Sequence, residues 1–267
     1  MSFLTRHLLR PVALVLTLFA LAGCSDRVQE LFDDSEKLWL EGRHSEAVSK
    51  LRVIVEEYPD SSFTSHSLYK LGEIHYLDLN EPEKAIQFFA RAAEREKSGD
   101  LALKAHNYMG EIYEQALRNY DLAVMQYKRI LTEFKGQVNE EEYLSHIATA
   151  YFKKGDYNQA IAEYQAVIAK APRSEFALDA SYQIANSKFI MGEAKTALDL
   201  FRKILLENPK SRYEYDVRLG IAICYEEMDQ LQKALDEYND LKKRYPDKLL
   251  IDRKLESIQK RLAKKVK

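Results

Sequence analysis

The histidines and cysteines are the side chains of this chain best suited to bind a metal or to transfer a proton. The chain has 6 His and 2 Cys, and no two histidines stand four residues apart. No Gly-x-Ser-x-Gly sequence and no glycine-rich phosphate loop occurs. We therefore predict that the protein is not an enzyme and that it holds no metal or cofactor.

The charged residues are numerous but nearly balanced, with 42 Asp and Glu against 40 Lys and Arg. They alternate along the chain, as in Glu81-Pro82-Glu83-Lys84, which is typical of solvated helix surfaces. The formal net charge of −2 argues against general affinity for nucleic acid. A hydrophobic content of 46% is sufficient for a buried core, and 9 Gly and 6 Pro are too few for a turn-rich β protein.

The first residues have the pattern of a secretory signal. Arg6 and Arg10 precede an apolar run over 12–22, which ends in Leu21-Ala22-Gly23-Cys24. The run is too short to span a bilayer comfortably but has the length of a signal-peptide core. We therefore expect this segment to direct export and to be removed.

Leu21-Ala22-Gly23-Cys24 resembles the bacterial lipobox. The resemblance implies that residues 1–23 are a lipoprotein signal peptide, that Cys24 carries the lipid, and that 24–27 form a short tether. Several acyl chains on one residue hold a protein stably on a membrane. Ser25 after the cysteine resembles the sorting signal for the outer membrane, so the expected location is its periplasmic face. The alternative is a plain secretory signal in which Cys24 has no such role.

A periodic pattern covers most of the remaining chain. Alanines recur every 37 or 38 residues, at Ala47, Ala85, Ala123, Ala160, Ala197 and Ala234. A small residue stands 12 or 13 positions before each alanine, at Ser35, Gly72, Gly110, Ala148, Ala185 and Ala222. An aromatic or leucine stands four positions after each alanine, at Leu51, Phe89, Tyr127, Tyr164, Phe201 and Tyr238. Small residues at these positions let two helices cross closely, so the pattern predicts stacked helix pairs.

Helix-ending residues agree with this register. Four prolines are expected to end second helices of pairs, at Pro59, Pro172, Pro209 and Pro246, and three glycines to occupy the turns within pairs, at Gly42, Gly155 and Gly192. Ser211 with Glu214, and Asp156 with Gln159, have the spacing of capping boxes. Asn80 and Asn119 mark the two repeats that are one residue longer.

The pattern resembles the tetratricopeptide repeat over 28–247. The resemblance implies an all-α fold, a right-handed superhelical array of six helix pairs. After it, 248–267 form a basic amphipathic stretch with Ile251, Leu255, Ile258, Leu262 and Val266 on one face, which we expect to be a capping helix. Cys224, the only other cysteine, is expected to be a small buried hydrophobe.

The repeats of this chain are longer than usual, and we expect the added residues to lengthen the first helices by about one turn. Long first helices that follow Tyr58-Pro59-Asp60-Ser61 or Asn208-Pro209-Lys210-Ser211 are reminiscent of repeat proteins of the bacterial envelope. The lipobox and the repeats together resemble the BamD family of outer-membrane assembly lipoproteins, and less closely the Tol-Pal-associated YbgF family. Chains like YbgF carry a coiled coil before their repeats, and none is present here.

In the tetratricopeptide family the inner face of the first helices lines a groove. Carried over to this chain, the groove residues that we expect to bind a partner are Phe32, Trp39, Tyr69, Tyr76, Asn107, Phe152, Tyr182, Asn186 and Phe189. Large aromatics bordered by polar groups suit peptide binding, because they offer contact area at little cost in rotamer entropy. The alternative is that half of these rings only fill gaps between repeats.

Three functions stay open at this point. The first is a membrane-anchored scaffold that holds an envelope protein, with β-barrel assembly components as the expected partners. The second is a scaffold for cell-wall synthesis, Tol-Pal constriction, or pilus and secretin assembly. The third is a ligand-binding or enzymatic groove, for which Glu36, Glu73, Glu111 and His66 are the only candidates. No small-molecule substrate is expected.

Overall fold

The computed structural model describes residues 26–265, and every regular element in that range is a helix. The predicted all-α class is therefore confirmed. Cys24 and Val266 lie outside the described residues. The helices are α1 (26–40), α2 (His44–Glu57), α3 (Thr64–Glu73), α4 (Pro82–Arg95), α5 (Asp100–Glu111), α6 (Tyr120–Glu133), α7 (Glu140–Lys154), α8 (Tyr157–Lys170), α9 (Glu175–Ile190), α10 (Ala194–Glu207), α11 (Glu214–Glu227), α12 (Leu231–Lys242) and α13 (Lys248–Lys265).

The chain divides into two compact units. The N-terminal unit ends at Phe134 and contains α1 to α6, and the C-terminal unit begins at Lys135 and contains α7 to α13. The described helices thus form six pairs and one additional helix. The turn within each pair is short, so its two helices pack side by side.

The core of each unit is built from the recurring positions. All six alanines of the pattern have an exposed fraction of 0%, and the residues four positions later are at most 4% exposed. Gly72 and Gly110 stand where a Cβ atom would lie 2.7 Å from Phe89 and 2.6 Å from Tyr127. Each aromatic ring therefore fills the space that a side chain on the facing helix would need. The register read from the sequence is the register of the packing.

The turn within each pair contains one residue with a left-handed backbone. Gly42, Gly155 and Gly192 have φ of 75°, 87° and 82°, and the remaining turns use Asn80, Arg118 and Asp229 at 53°, 51° and 57°. In the first pair the Arg43 N–H donates to the Leu38 carbonyl at 2.9 Å, which satisfies a carbonyl at the helix end. Glycine and asparagine adopt this conformation most readily, and arginine does so at a cost.

The two longer repeats have a physical explanation. A π-helical turn over Ile74–Asp78 follows α3, and another over Ile112–Ala116 follows α5. In these turns the Leu79 N–H donates to Ile74 O at 3.1 Å, five residues back. A π turn accommodates one additional residue without disturbing the helix around it.

One of the two predicted capping boxes is wrong. The helix α11 begins at Glu214 after Tyr213, with no side-chain cap, and the Ser211 hydroxyl has no hydrogen-bond partner. Asp156 does cap α8, because its carboxylate accepts from the Gln159 N–H at 3.2 Å. The Gln159 side chain donates to Glu163 rather than back to the cap, so only half of that box forms.

The last helix packs through its apolar face. Ile251, Leu255 and Ile258 are buried in the core of the C-terminal unit. Three of its basic side chains form ion pairs with the preceding helix pair: Lys254 and Arg261 pair with Glu226, and Arg261 and Lys265 pair with Asp229. Cys224 is a fully buried free thiol, as expected.

Candidate partner-binding grooves

The first helices of the N-terminal unit border an open pocket of about 510 Å³, which we call the N-terminal groove. Its lining comes from α1, α3, α5 and the turn before α5, and consists of Phe32, Glu36, His66, Tyr69, Lys70, Glu73, Glu96, Asp100, Leu101 and Lys104. Two of the predicted groove aromatics, Phe32 and Tyr69, are brought together here. The groove therefore combines two ring surfaces with charged side chains.

Tyr69 also belongs to a cluster of aromatic rings, whose other members, Tyr76, Phe89 and Tyr108, lie outside the groove lining. Tyr69 packs with its edge toward Phe89, ring centroids 5.4 Å apart, and lies 6.0 Å from Tyr108. Tyr108 stacks on Phe89 at 4.8 Å, and Tyr76 packs with its edge toward Tyr108 at 6.3 Å. Burial raises the pKa of Tyr69, Tyr76 and Tyr108, so these phenols stay neutral at physiological pH. The three half-buried tyrosine rings thus form one connected cluster around the fully buried Phe89.

Trp39 lies at the end of α1, outside the lining of the N-terminal groove. Its indole N–H donates to Asp78 at 2.8 Å, and Lys70 Nζ stands 4.2 Å from its ring centroid. Lys70 also pairs with Glu73 at 2.9 Å. Trp39 thus ties α1 to the end of the next first helix, while its ring remains partly exposed.

Asn107 and Glu114 occupy groove positions of α5 and its π turn. Asn107 is half-buried and is not part of the lining of the N-terminal groove. Glu114 is only 6% exposed, and its carboxylate accepts a hydrogen bond from the Tyr127 hydroxyl at 2.9 Å. Glu114 therefore fixes the aromatic ring of its own helix pair and is not presented to a partner.

In the C-terminal unit Tyr182, Asn186 and Phe189 line a pocket of about 210 Å³, the C-terminal groove. Tyr182 stacks on Tyr213, ring centroids 4.4 Å apart. Burial raises the pKa of Tyr182 above its ordinary range. Phe152 is not part of this lining; it packs with its edge toward Tyr157 at 5.5 Å. Three of the four predicted residues of this unit are thus brought together.

Three aromatic side chains at or beside the grooves were not predicted from the sequence. Tyr245 lines the C-terminal groove, while Tyr108 and Tyr213 contact the groove rings Tyr69 and Tyr182. Tyr108 stands one position beyond the family's groove offset, and Tyr213 lies just before α11. The Tyr245 hydroxyl reaches back from the residues after α12 to donate to Asp216 at 3.3 Å.

A third pocket of about 550 Å³ lies between α4, α5 and α6, away from the predicted groove positions. His106 forms part of its lining and is 4% exposed, and its Nδ1 donates to Gln126 at 2.9 Å. Burial lowers the pKa of His106, so this histidine is a neutral packed side chain. Within residues 26–265, no group of three or more potential ligands is placed to hold a metal ion.

Models of the tetratricopeptide repeat match three segments of the chain, residues 66–97, 141–174 and 189–254. The chain contains tetratricopeptide repeats. The matched segments cover α3 with α4, α7 with α8, and the region from the end of α9 into α13. Tetratricopeptide proteins are generally non-enzymatic scaffolds that bind peptides or proteins. The sequence matches no curated protein closely enough to count as a relative.

Solved tetratricopeptide structures share the fold at low sequence identity. A tetratricopeptide repeat protein from Parabacteroides merdae is 15% identical, with a TM-score of 0.55, over 87% of this chain and 98% of that one. PilW, described as a widely conserved type IV pilus biogenesis factor, is 15% identical, with a TM-score of 0.54 and the same coverages. YrrB, a repeat protein with an unusual peptide-binding site, is 19% identical, with a TM-score of 0.51, over 75% of this chain and 95% of its own.

None of the described helices is both long enough and apolar enough to cross a bilayer. The predicted anchor at Cys24 stands outside the described residues.

Proposed function

We propose that this protein is a lipid-anchored scaffold on the periplasmic face of the outer membrane. In this proposal its tetratricopeptide grooves hold a segment of an envelope protein, with outer-membrane protein assembly as the process. Lipid on Cys24 would keep the grooves close to the bilayer, because α1 begins at residue 26 and only residue 25 separates it from Cys24.

The observation that carries the scaffold role is the exposure of preorganised rings in both units. Phe32 and Tyr69 line one groove, and Tyr182 and Phe189 line the other. Each of these rings is partly held by its own unit and partly open. A ring whose rotamer is already fixed loses little entropy on binding, so such surfaces suit a peptide segment.

In vivo photo-crosslinking tests the proposal. A photoreactive amino acid replaces Tyr69 in one variant and Tyr182 in another, and crosslinked proteins are identified by mass spectrometry. Matched controls carry it at Met125 and Leu206, second-helix side chains that are 51% and 83% exposed. We expect an envelope assembly protein at the groove positions and not at the controls. The same products from groove and control positions would contradict the proposal.

The anchor has its own test. Cys24→Ala should release the protein into the periplasmic fraction, and the intact mature protein should carry acyl mass on its first residue. A mature protein without acyl mass contradicts the anchor. A pilus or secretin component at the groove positions, rather than a β-barrel assembly component, would favour the process named for PilW.

A further inference from the structure

The N-terminal groove contains an excess of carboxylates over cations. Its lining has Glu36, Glu73, Glu96 and Asp100 against Lys70 and Lys104. Both lysines are already paired, Lys70 with Glu73 at 2.9 Å and Lys104 with Asp100 at 2.6 Å. Within the described part of the chain, Glu36 and Glu96 belong to no ion pair. Two carboxylates therefore face this groove with their charge uncompensated.

The C-terminal groove differs in this respect. Asp216 accepts a hydrogen bond from Tyr245, and Asp179 beside it pairs with Arg212. Glu226, further along α11, pairs with Lys254 and Arg261. Asp179 and Glu226 thus have cations beside them inside the chain, and Asp216, the one carboxylate in the lining of this groove, is hydrogen-bonded by a phenol. An incoming cation finds open acidic groups in the N-terminal groove.

The chain itself shows how a cation is held on this surface. The Lys70 ammonium stands 4.2 Å from the Trp39 ring centroid and 2.9 Å from the Glu73 carboxylate. A ring face attracts a cation through its quadrupole, and an adjacent carboxylate adds a direct charge interaction. The open groove offers the same two elements: the rings of Phe32 and Tyr69, and the carboxylates of Glu36 and Glu96.

We propose that the N-terminal groove takes a basic segment of its protein partner, with Lys or Arg side chains between the aromatic rings and the unpaired carboxylates. This inference rests on the proposed function, because it names the chemistry of the partner at the same groove. Charge complementarity of this kind mainly sets the choice of partner and the rate of association. The interaction weakens as salt screens the exposed charges.

Peptide binding to the full-length protein, purified in detergent, tests the inference. The probes are three end-blocked fluorescent peptides with the same aromatic residues, whose remaining positions are lysine in one, serine in the second and glutamate in the third. The protein variant is Glu36→Gln with Glu96→Gln. The matched control is Glu57→Gln with Glu83→Gln, which removes two exposed carboxylates from second helices and gives the same net charge.

We expect the lysine peptide to bind tightest at low salt and to lose affinity at high salt. The groove variant should bind the lysine peptide about fivefold more weakly than wild type, because it loses two exposed ion pairs with the peptide. The control variant should bind this peptide as tightly as wild type does. Equal binding of the lysine and serine peptides, equal loss in both variants, or binding of none of the peptides would overturn the inference. A groove crosslink to an acidic segment would overturn it too and would leave the scaffold role standing.

Discussion

One methyl group on Gly110 tests the packing of a repeat directly. A Cβ atom at this position would lie 2.6 Å from Tyr127 Cε1 and 3.0 Å from its Cζ. Carbon atoms in ordinary contact stand about 3.5–4.0 Å apart, so Gly110→Ala forces the ring or a helix to move. Gly110 lies near the end of α5, where the helix continues into the π turn over Ile112–Ala116, so alanine is otherwise the better helix former.

Two opposing effects set the magnitude. Alanine gains about 1 kcal/mol of helix propensity over glycine. Overpacking costs about 1–3 kcal/mol, and the ring has no easy way to move, because Tyr127 is 4% exposed and its hydroxyl donates to buried Glu114 at 2.9 Å. Breaking that hydrogen bond leaves a buried acceptor and costs a further 1–3 kcal/mol, as an order of magnitude. We therefore expect a net loss of about 3 kcal/mol in the free energy of unfolding.

Urea unfolding monitored by tryptophan fluorescence measures this loss. Trp39 is the only tryptophan and lies in the same unit as Gly110, so its emission reports the relevant transition. The control adds Tyr127→Leu to Gly110→Ala; the first repeat combines Leu51 with Ser35 at the equivalent positions. In that background the added methyl should cost little. A Gly110→Ala protein as stable as wild type would refute the packing described for α5 and α6.

Three further outcomes are expected. Arg118→Gly should stabilise the protein by about 0.5–1 kcal/mol in thermal or urea unfolding, because glycine adopts φ of 51° without the strain of arginine; a loss would contradict this. Burial raises the pKa of Cys224 to about 11, so its thiol should not react with a thiol reagent at pH 8 until urea unfolds the protein. Rapid labelling of the native protein would contradict this burial. The hydrogen bond from Lys265 lowers the pKa of Asp229. The stability that this pair contributes is therefore present above the unfolded pKa of Asp229 and is lost as pH falls through the lower folded pKa. Amide exchange at the end of α13 should rise selectively below pH 4, and pH-independent exchange there would contradict this.

The repeat register was predictable because it depends on volume alone. A small residue opposite a ring, at a spacing fixed by helix geometry, is visible in the letters, and Gly72 with Phe89 has the contact that the pattern implies. The sequence did not indicate that the added residues would form π-helical turns. The sequence located the added residue near Asn80 and Asn119, but an insertion can enter a loop or a helix, and only the backbone hydrogen bonds distinguish the two.

The groove was predictable in position but not in the partners of its side chains. Phe32 and Tyr69 line one pocket, and Tyr182 and Phe189 line another, as the offsets on the first helices imply. The offsets do not show which carboxylates are engaged: Glu114 accepts a buried hydrogen bond from Tyr127, whereas Glu36 lines the open groove. Which carboxylates are occupied depends on side chains that are distant in sequence, such as Arg212 beside Asp179.

The same partners determine what each groove can recognise. A carboxylate that is already paired gains little from a second cation, because the first pair has compensated its charge and holds its side chain. In the C-terminal groove the one lining carboxylate, Asp216, already accepts a hydrogen bond from Tyr245, and the remaining surface is mainly the rings of Tyr182 and Phe189. An apolar contact with these rings adds affinity for many sequences. Glu36 and Glu96 keep their charge available, so the N-terminal groove can discriminate among partners. Glu36→Lys or Glu36→Arg should consequently have a larger effect on the choice of the bound segment than on the stability of the fold.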